Sequence, residues 1–313
     1  MQEHSFRLGA GLLNCAVGPK NGPPLLLLHG VTRCWRDFNA LLPSLTDQWH
    51  VFAPDHRGHG KSARRAVDGE QPDVSGAPHM PNRPGNAAPY RVADFAADAI
   101  ELLDKHVPGP AILIGHSLGA LVAAVLAAER PGQVRALVLE DPPGTTLAED
   151  IRRSPFHLQF SNTERLLGTA RDAEDLARDL AAMPVQRPGD GALVRFSEIR
   201  DLDTIRFGAE CLLQMDPAVL RTLLEGRWLE GLDWFGSLPK IECPTLLLHA
   251  DPACGGMLDP GEAARITSRL RRCVRVDLPG IGHSIHSMQP ERMLELLANF
   301  LAANQITPRS NAS

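Results

Sequence analysis

Apolar positions along this chain fall into two patterns. Short unbroken runs appear in PPLLLLHG (23–30), HVFAPDHRGHGKS (50–62), AILIGHS (111–117), VRALVLEDPP (134–143), PTLLLHAD (244–251) and CVRVDLPG (273–280). Each is too short for a buried helix and ends in Gly, Pro, Asp or Ser, so each predicts a buried strand followed by a turn. Between them lie segments of helical spacing. RVADFAADAIELLDKH (91–106) puts Phe95, Ala99, Leu102 and Leu103 on one face, LGALVAAVLAAERP (118–131) is closed by Pro131, and MQPERMLELLANFLAAN (288–304) makes the last helix. Continuous apolar strands alternating with helices predict a mostly parallel sheet covered on both faces. FRLGAG and LLNCAVG at the start predict an antiparallel edge.

Two regions interrupt the alternation. Residues 63–90 carry Pro72, Pro78, Pro81, Pro84 and Pro89 among Gly, Asn and Asp, and predict a long loop. Residues 145–240 hold helical patterns and no strong strand, as in TERLLGTARDAEDLARDLAAM and TIRFGAECLLQM, with Asp216-Pro217 reading as an N-cap and a first-turn proline. A helical block inserted into an α/β pattern predicts a cap over the C-terminal edge of the sheet. The organisation expected is therefore a core in two parts, 1–144 and 241–313, with a helical cap or lid at 145–240.

Composition narrows the function. The 313 residues carry a formal net charge of −5, with 43% apolar and 22% charged residues. Lys and Arg are scattered, which argues against a nucleic-acid partner. No apolar run approaches the ~20 residues that span a bilayer, and the N-terminus lacks the basic and apolar regions of a signal peptide. The six cysteines form no C-x-x-C pair and read mostly as reduced, packed thiols. The expectation is a cytoplasmic monomer or homodimer acting on a small molecule, with no cofactor or metal. His249 and Asp251 lie close together, but no third ligand follows at metal-site spacing.

The chemistry centres on Gly115-His116-Ser117-Leu118-Gly119. A serine hydroxyl is a weak nucleophile until a base takes its proton, and it must project from the backbone to reach a substrate. A tight strand-to-helix turn does this, and its crowding demands tiny flanking residues. Gly115 and Gly119 meet that demand, with a strand expected before Ser117 and a helix after it. The helix start directs backbone N–H groups at charge developing near Ser117. One oxyanion donor is then the N–H of Leu118, and the second is the N–H of Val31 in the HGVTR loop, where Gly30 allows close approach. The expected base is His283, on the loop between the last strand and the last helix, at the same sheet edge as Ser117. His286 reads as a pocket wall or as a partner of His283, although a polar residue at a helix start is the simpler reading.

HGVTR, DHRGHGKS, GHSLG, the PTLLLHAD strand and PGIGHSIHSMQPE, in that order, resemble the successive motifs of the α/β-hydrolase fold family from Pro23 to the final helix. The resemblance implies an eight-stranded sheet, a helical lid after the sixth strand, hydrolysis through an acyl-enzyme, and a triad in the chain order Ser, acid, His. It implies a structural turn for DHRGHGKS, so Asp55, Arg57 and Ser62 take no chemical role. The family acid follows the seventh strand as G-x-x-D, and there this sequence departs: the glycine aligns with Ala250 and the acid position holds Ala253. Asp251 lies two residues early and is the favoured acid, with Pro252 and Gly255-Gly256 reshaping the loop. A minority arrangement puts the acid after the sixth strand, where LVLEDPPG offers Asp141 as the alternative and Glu140 as a weaker one.

A serine nucleophile suits acyl compounds, and a carboxylic ester or lactone is the leading substrate class. A cofactor-free lyase or oxygenase, or a small-ligand receptor on the same fold, are the alternatives. Candidate pocket residues are His29, Gly30, Thr32, Arg33, Trp35, His116, Trp228 and His286, with Cys34 at the rim. His29 reads more simply as a buried structural imidazole and Arg33 as a structural cation. In the cap, Phe156, Phe160, Leu166, Phe196, Phe207, Met215, Trp228, Trp234 and Phe235 either pack the interior or face a moderately apolar substrate.

Overall fold

The computed structural model describes residues 1–64, 90–167 and 172–308. Nearly all of the expected 63–90 loop lies outside the described residues. The chain forms one eight-stranded sheet, and the apolar runs are its strands: β1 (Gln2–Leu8), β2 (Gly11–Val17), β3 (Pro24–Leu28), β4 (His50–Pro54), β5 (Ala111–His116), β6 (Val134–Glu140), β7 (Thr245–Ala250) and β8 (Cys273–Leu278). Their spatial order is β1-β2-β4-β3-β5-β6-β7-β8. β1 and β2 pair antiparallel as the edge, β2 also meets β4 antiparallel, and every later pairing is parallel.

The unbroken apolar runs are needed because both faces of the sheet are covered. Leu26 and Leu28 of β3, Leu113 of β5 and Leu137 of β6 join one core with helices α1 (Val92–His106) and α2 (Leu118–Glu129). Leu25 and Leu27, Ile112 and Ile114, and Val138 point the other way. They join a second core with Phe38, Leu41 and the last helix, Pro290–Ala303. Alternate residues of one strand thus feed opposite cores. Helix α2 is buried from Leu118 to Ala128 and has no polar face, which marks it as an interior helix.

Between β6 and β7 the chain is mostly helical: α3 (His157–Leu167), α4 (Ala173–Ala182), α5 (Leu202–Leu213) and α6 (Pro217–Leu224). Asp172, Asp201 and Asp216 cap the N-termini of α4, α5 and α6 through their carboxylates. The Asp172 cap begins a new helix inside the stretch that reads as one continuous helical pattern. The region also contains a small hairpin, Pro184–Gln186 paired with Leu193–Arg195, too short and too exposed to leave a strand pattern. α7 (Pro260–Arg269) carries few apolar residues and buries only Ala263 and Ile266, so no apolar run announces it. No helix among the described residues is long and apolar enough to cross a membrane.

Candidate active site

Parallel strands present their C-terminal ends together, so the loops after β3, β5, β6, β7 and β8 share one edge of the sheet. Ser117 sits there at φ 55° and ψ −121°, the backbone of the first central residue of a type II′ turn, where glycine is the ordinary occupant. The flanking glycines are sterically required. A Cβ on Gly115 would lie 2.2 Å from the Gly119 carbonyl oxygen, and one on Gly119 would lie 1.9 Å from the Leu28 carbonyl oxygen. The Ser117 N–H continues the sheet ladder by donating to Glu140 O at 2.9 Å. Leu118 is the first residue of α2, so its N–H has no acceptor within the helix.

The Gly30 backbone lies against this turn: a Cβ there would come 3.1 Å from Ser117 Cβ and 3.0 Å from His116 Nδ1. Val31 follows, buried, and Thr32 takes φ 67°. Thr32 and Arg33 then line a cavity of about 50 Å³ with Phe160, Met183, Phe196 and Ile205 of the helical region. Four contacts hold the loop to α5. Arg36 pairs with Glu210 at 2.9 Å, Arg33 and Arg36 lie over the Phe207 ring, and the Cys211 thiol donates to Cys34 Sγ at 3.5 Å.

His283 meets Asp141, not Asp251. The His283 Nδ1–H donates to Asp141 Oδ2 at 2.6 Å. Asp141 is fully buried at φ 41°, and it also accepts from the Met257 N–H at 2.8 Å and the Ala250 N–H at 3.3 Å. Asp251 has a different task. Its carboxylate caps the turn Pro252–Cys254 through the Ala253 N–H at 2.9 Å and accepts from the Gly280 N–H at 2.8 Å. Those backbone donors, Gly280 first, hold its carboxyl below the usual range. The favoured reading of Asp251 as the acid partner is therefore corrected. The loop at Pro252 and Gly255-Gly256 turns Asp251 back onto its own turn and onto the segment leading to His283. β6 lies next to β5, which carries the serine, and so delivers Asp141 directly.

Glu140 faces the opposite side of the sheet edge. It accepts from the His286 Nδ1–H at 2.9 Å and from the His286 backbone N–H at 2.9 Å. His286 Nε2 lies 3.3 Å from Asp37 Oδ2. Burial disfavours the charged imidazole, yet Glu140 and Asp37 on either side push His286 up to about 10. Asp37, buried beside His286 and Arg33, stays well below the ordinary carboxylate range. His116 packs between His283 and His286, with ring centroids 4.6 and 4.7 Å away. Burial, reinforced by its two imidazole neighbours, keeps it well below the ordinary histidine value.

Several other expected pocket residues are structural. His29 is fully buried; its Nε2 accepts from the His56 N–H at 3.0 Å, so its Nδ1–H donates to Gly30 O at 2.8 Å. Trp35 turns toward the edge strand, with its Nε1–H on Glu3 at 2.9 Å and its backbone N–H on Asp55 at 2.8 Å. Trp228 is core, and its carbonyl accepts from the Val92 N–H at the start of α1. Asp55 also accepts from Asn14 and the Lys61 N–H, which fits a structural turn. His249 has both ring nitrogens occupied, by Asp277 and by Leu258 O. Of the apolar candidates in the helical region, Phe160 and Phe196 line the cavity, while Met215 and Trp234 are buried in the core. Asp37, a participant that carried no sequence signal, enters through the fold alone.

A strained serine between close-packed glycines, with a buried carboxylate–imidazole pair at the same sheet edge, is an arrangement that fits a hydrolase. Residues 23–203 match the profile of the alpha/beta hydrolase fold, more than half of the chain, and the chain belongs to that family. The chain is similar to a 2-(acetamidomethylene)succinate hydrolase of Mesorhizobium japonicum, 27% identical over 96% of this chain and 95% of that protein. It is also similar to Lipase LipV of Mycobacterium tuberculosis, 35% identical over 55% of this chain and 63% of the lipase. A solved E-2-(acetamidomethylene)succinate hydrolase superposes with a TM-score of 0.65 at 23% identity, covering 96% of this chain and 99% of that one, which shows the shared fold.

Proposed function

We propose that the protein cleaves a carboxylic ester or lactone of a small, moderately apolar substrate through an acyl-enzyme at Ser117. The observation that carries this reading is the buried 2.6 Å hydrogen bond from His283 Nδ1 to Asp141. With Nδ1 donating, Nε2 is the basic nitrogen of the neutral ring. In this reading Ser117 Oγ attacks the substrate carbonyl and His283 Nε2 takes its proton. Asp141 fixes the tautomer and stabilises the imidazolium. The N–H groups of Val31 and Leu118 bind the oxyanion, each worth ~3 kcal/mol of transition-state stabilisation. His283 then protonates the leaving alkoxide and activates water for deacylation. The helical segment over Thr32 and Arg33 acts as the lid.

One observation favours a second reading, in which the substrate carries a carboxylate and its scissile bond is an amide. Arg33 lines the cavity, and burial, then the nearby Arg33 charge, holds the Arg200 guanidinium below its usual value. No carboxylate pairs with Arg200 among the described residues. Arg33 at the cavity, with the Arg200 charge close to it, suits an anionic substrate group, and the name of the Mesorhizobium relative denotes an acetamido derivative of a diacid. A panel of esters, lactones and amides, each with and without a carboxylate and with Ser117→Ala as the blank, tests both readings. Turnover of neutral esters supports the first. A preference for acidic amides, with KM raised about tenfold in Arg33→Met for acidic substrates alone, supports the second. Equal rates in wild type and Ser117→Ala would refute both.

A further inference from the structure

A second cluster of buried groups beside Ser117 is not used by acyl chemistry. Asp37 comes from the turn Trp35–Phe38, His116 is the last residue of β5, and His286 lies on the short helix Ile285–Met288. One donor atom of each lies within 4.8 Å of the other two. His286 Nε2 is 3.3 Å and His116 Nδ1 is 3.7 Å from Asp37 Oδ2. Side-chain exposure is 6% for Asp37, 3% for His116 and 0% for His286.

These three atoms are buried without a hydrogen-bond partner among the described residues. His286 Nε2 and Asp37 Oδ2 face each other at ion-pair distance, 3.3 Å. Leaving polar atoms bare in the interior is costly, and native proteins rarely do it. A proton shared by His286 and Asp37 relieves two of the atoms and leaves both ring nitrogens of His116 bare. A single cation at their common focus satisfies Asp37 Oδ2, His116 Nδ1 and His286 Nε2 together and leaves only His116 Nε2 of the four.

The surroundings orient the donors as a metal site requires. The His286 Nδ1–H is held by Glu140 at 2.9 Å, which aims Nε2 into the cluster. The Arg33 Nε lies 3.4 Å from the other oxygen of Asp37. An imidazole braced by an outer carboxylate is the usual support of a metal-bound histidine. Bonds of ~2.0–2.1 Å in tetrahedral geometry place donor atoms roughly 3.3–3.4 Å apart, close to the observed 3.3 and 3.7 Å. Two imidazoles with one carboxylate suit zinc or its transition-metal neighbours and not calcium or magnesium, which take oxygen ligands.

We propose that Asp37, His116 and His286 form a three-ligand binding site for a transition-metal dication of the zinc type. The ion ties together three segments: the turn after the HGVTR loop, the strand end that carries Ser117, and the helix that follows His283. Loading exchanges the proton on His286 for the metal, with Glu140 keeping the Nδ1–H.

The test uses the tag-free full-length chain, stripped with a chelator and reconstituted with Co²⁺ as the probe. About one equivalent should bind, with visible d–d absorption from a low-coordinate site, and Zn²⁺ should displace it. X-ray absorption on the Zn²⁺ form should show a nitrogen and oxygen shell with two imidazoles. Folded Asp37→Asn and His286→Gln variants, checked by circular dichroism, should retain less than about a tenth of an equivalent. Failure of the folded wild-type chain to bind Co²⁺ or Zn²⁺, unchanged stoichiometry in both folded variants, or sulfur in the Zn²⁺ shell would each overturn the proposal. Where a variant does not fold, the wild-type stoichiometry and ligand shell decide. None of these readouts depends on the acyl-enzyme reading.

Discussion

Exchange of Asp141 for asparagine is the most informative single perturbation of the site. Asp141 Oδ2 receives two donors, His283 Nδ1–H at 2.6 Å and Met257 N–H at 2.8 Å. An amide placed there keeps the volume, loses the charge, and can accept from His283 only with its oxygen in that position. When His283 takes the serine proton it becomes a cation 2.6 Å from the carboxylate. At an effective dielectric of ~20, that pair is worth about 6 kcal/mol. At ~1.4 kcal/mol per decade this is roughly four orders of magnitude in rate, the size seen in the worked serine-protease example. Steady-state hydrolysis of p-nitrophenyl acetate, normalised to folded protein, should therefore show Asp141→Asn slowed by about 10⁴. Asp251→Asn serves as the control. It keeps a hydrogen-bonding cap, and its rate should stay within about threefold of wild type. The reasoning is refuted if Asp251→Asn is the variant that collapses, or if Asp141→Asn keeps its rate within tenfold.

Other consequences follow from the same geometry. Gly119→Ala drives a methyl group to within 1.9 Å of the Leu28 carbonyl oxygen, so chemical denaturation should show a loss of about 3 kcal/mol or failure to fold. Ser117→Gly abolishes turnover but relieves the strained φ of 55°, so its denaturation midpoint should hold or rise, by up to ~1 kcal/mol of stability. Burial holds His29, His56 and His116 well below the ordinary histidine value and His59 at about 4. The unfolded chain binds more protons at these positions below about pH 6.5, so stability falls as pH drops from there, by roughly 1.4 kcal/mol per unit for each imidazole. His286 has the opposite sign: its folded value of about 10 gives stability that is full below 6.5 and lost as pH rises toward 10. Urea midpoints of the chelator-stripped chain across pH 4 to 10 should peak near neutrality, and a flat profile would contradict the assignment.

The sheet strands were legible because each combines an unbroken apolar run with a terminal turn, and Ser117 because its glycines leave a local steric signature. The acid was not. Asp251 and Asp141 both satisfy chain order, and only the third dimension separates them. β6 is the neighbour of β5, and the loop after β7 curls so that Asp251 caps residues 252–254. α7 is hard to read because an exposed helix that buries only Ala263 and Ile266 offers few apolar residues. Asp37, His116 and His286 are far apart along the chain and share no spacing that would announce a cluster. Their meeting depends on a turn after β3, the end of β5 and the helix after β8 converging at one edge.

The account rests most heavily on Ser117 as the covalent nucleophile. Intact and peptide mass spectrometry of enzyme quenched during turnover of a slowly deacylating p-nitrophenyl ester tests this directly. The expected result is one acyl group on the peptide containing Ser117, matched by a stoichiometric burst of p-nitrophenol and absent in Ser117→Ala. Turnover with an unmodified Ser117 peptide, no burst and an active Ser117→Ala variant would contradict it.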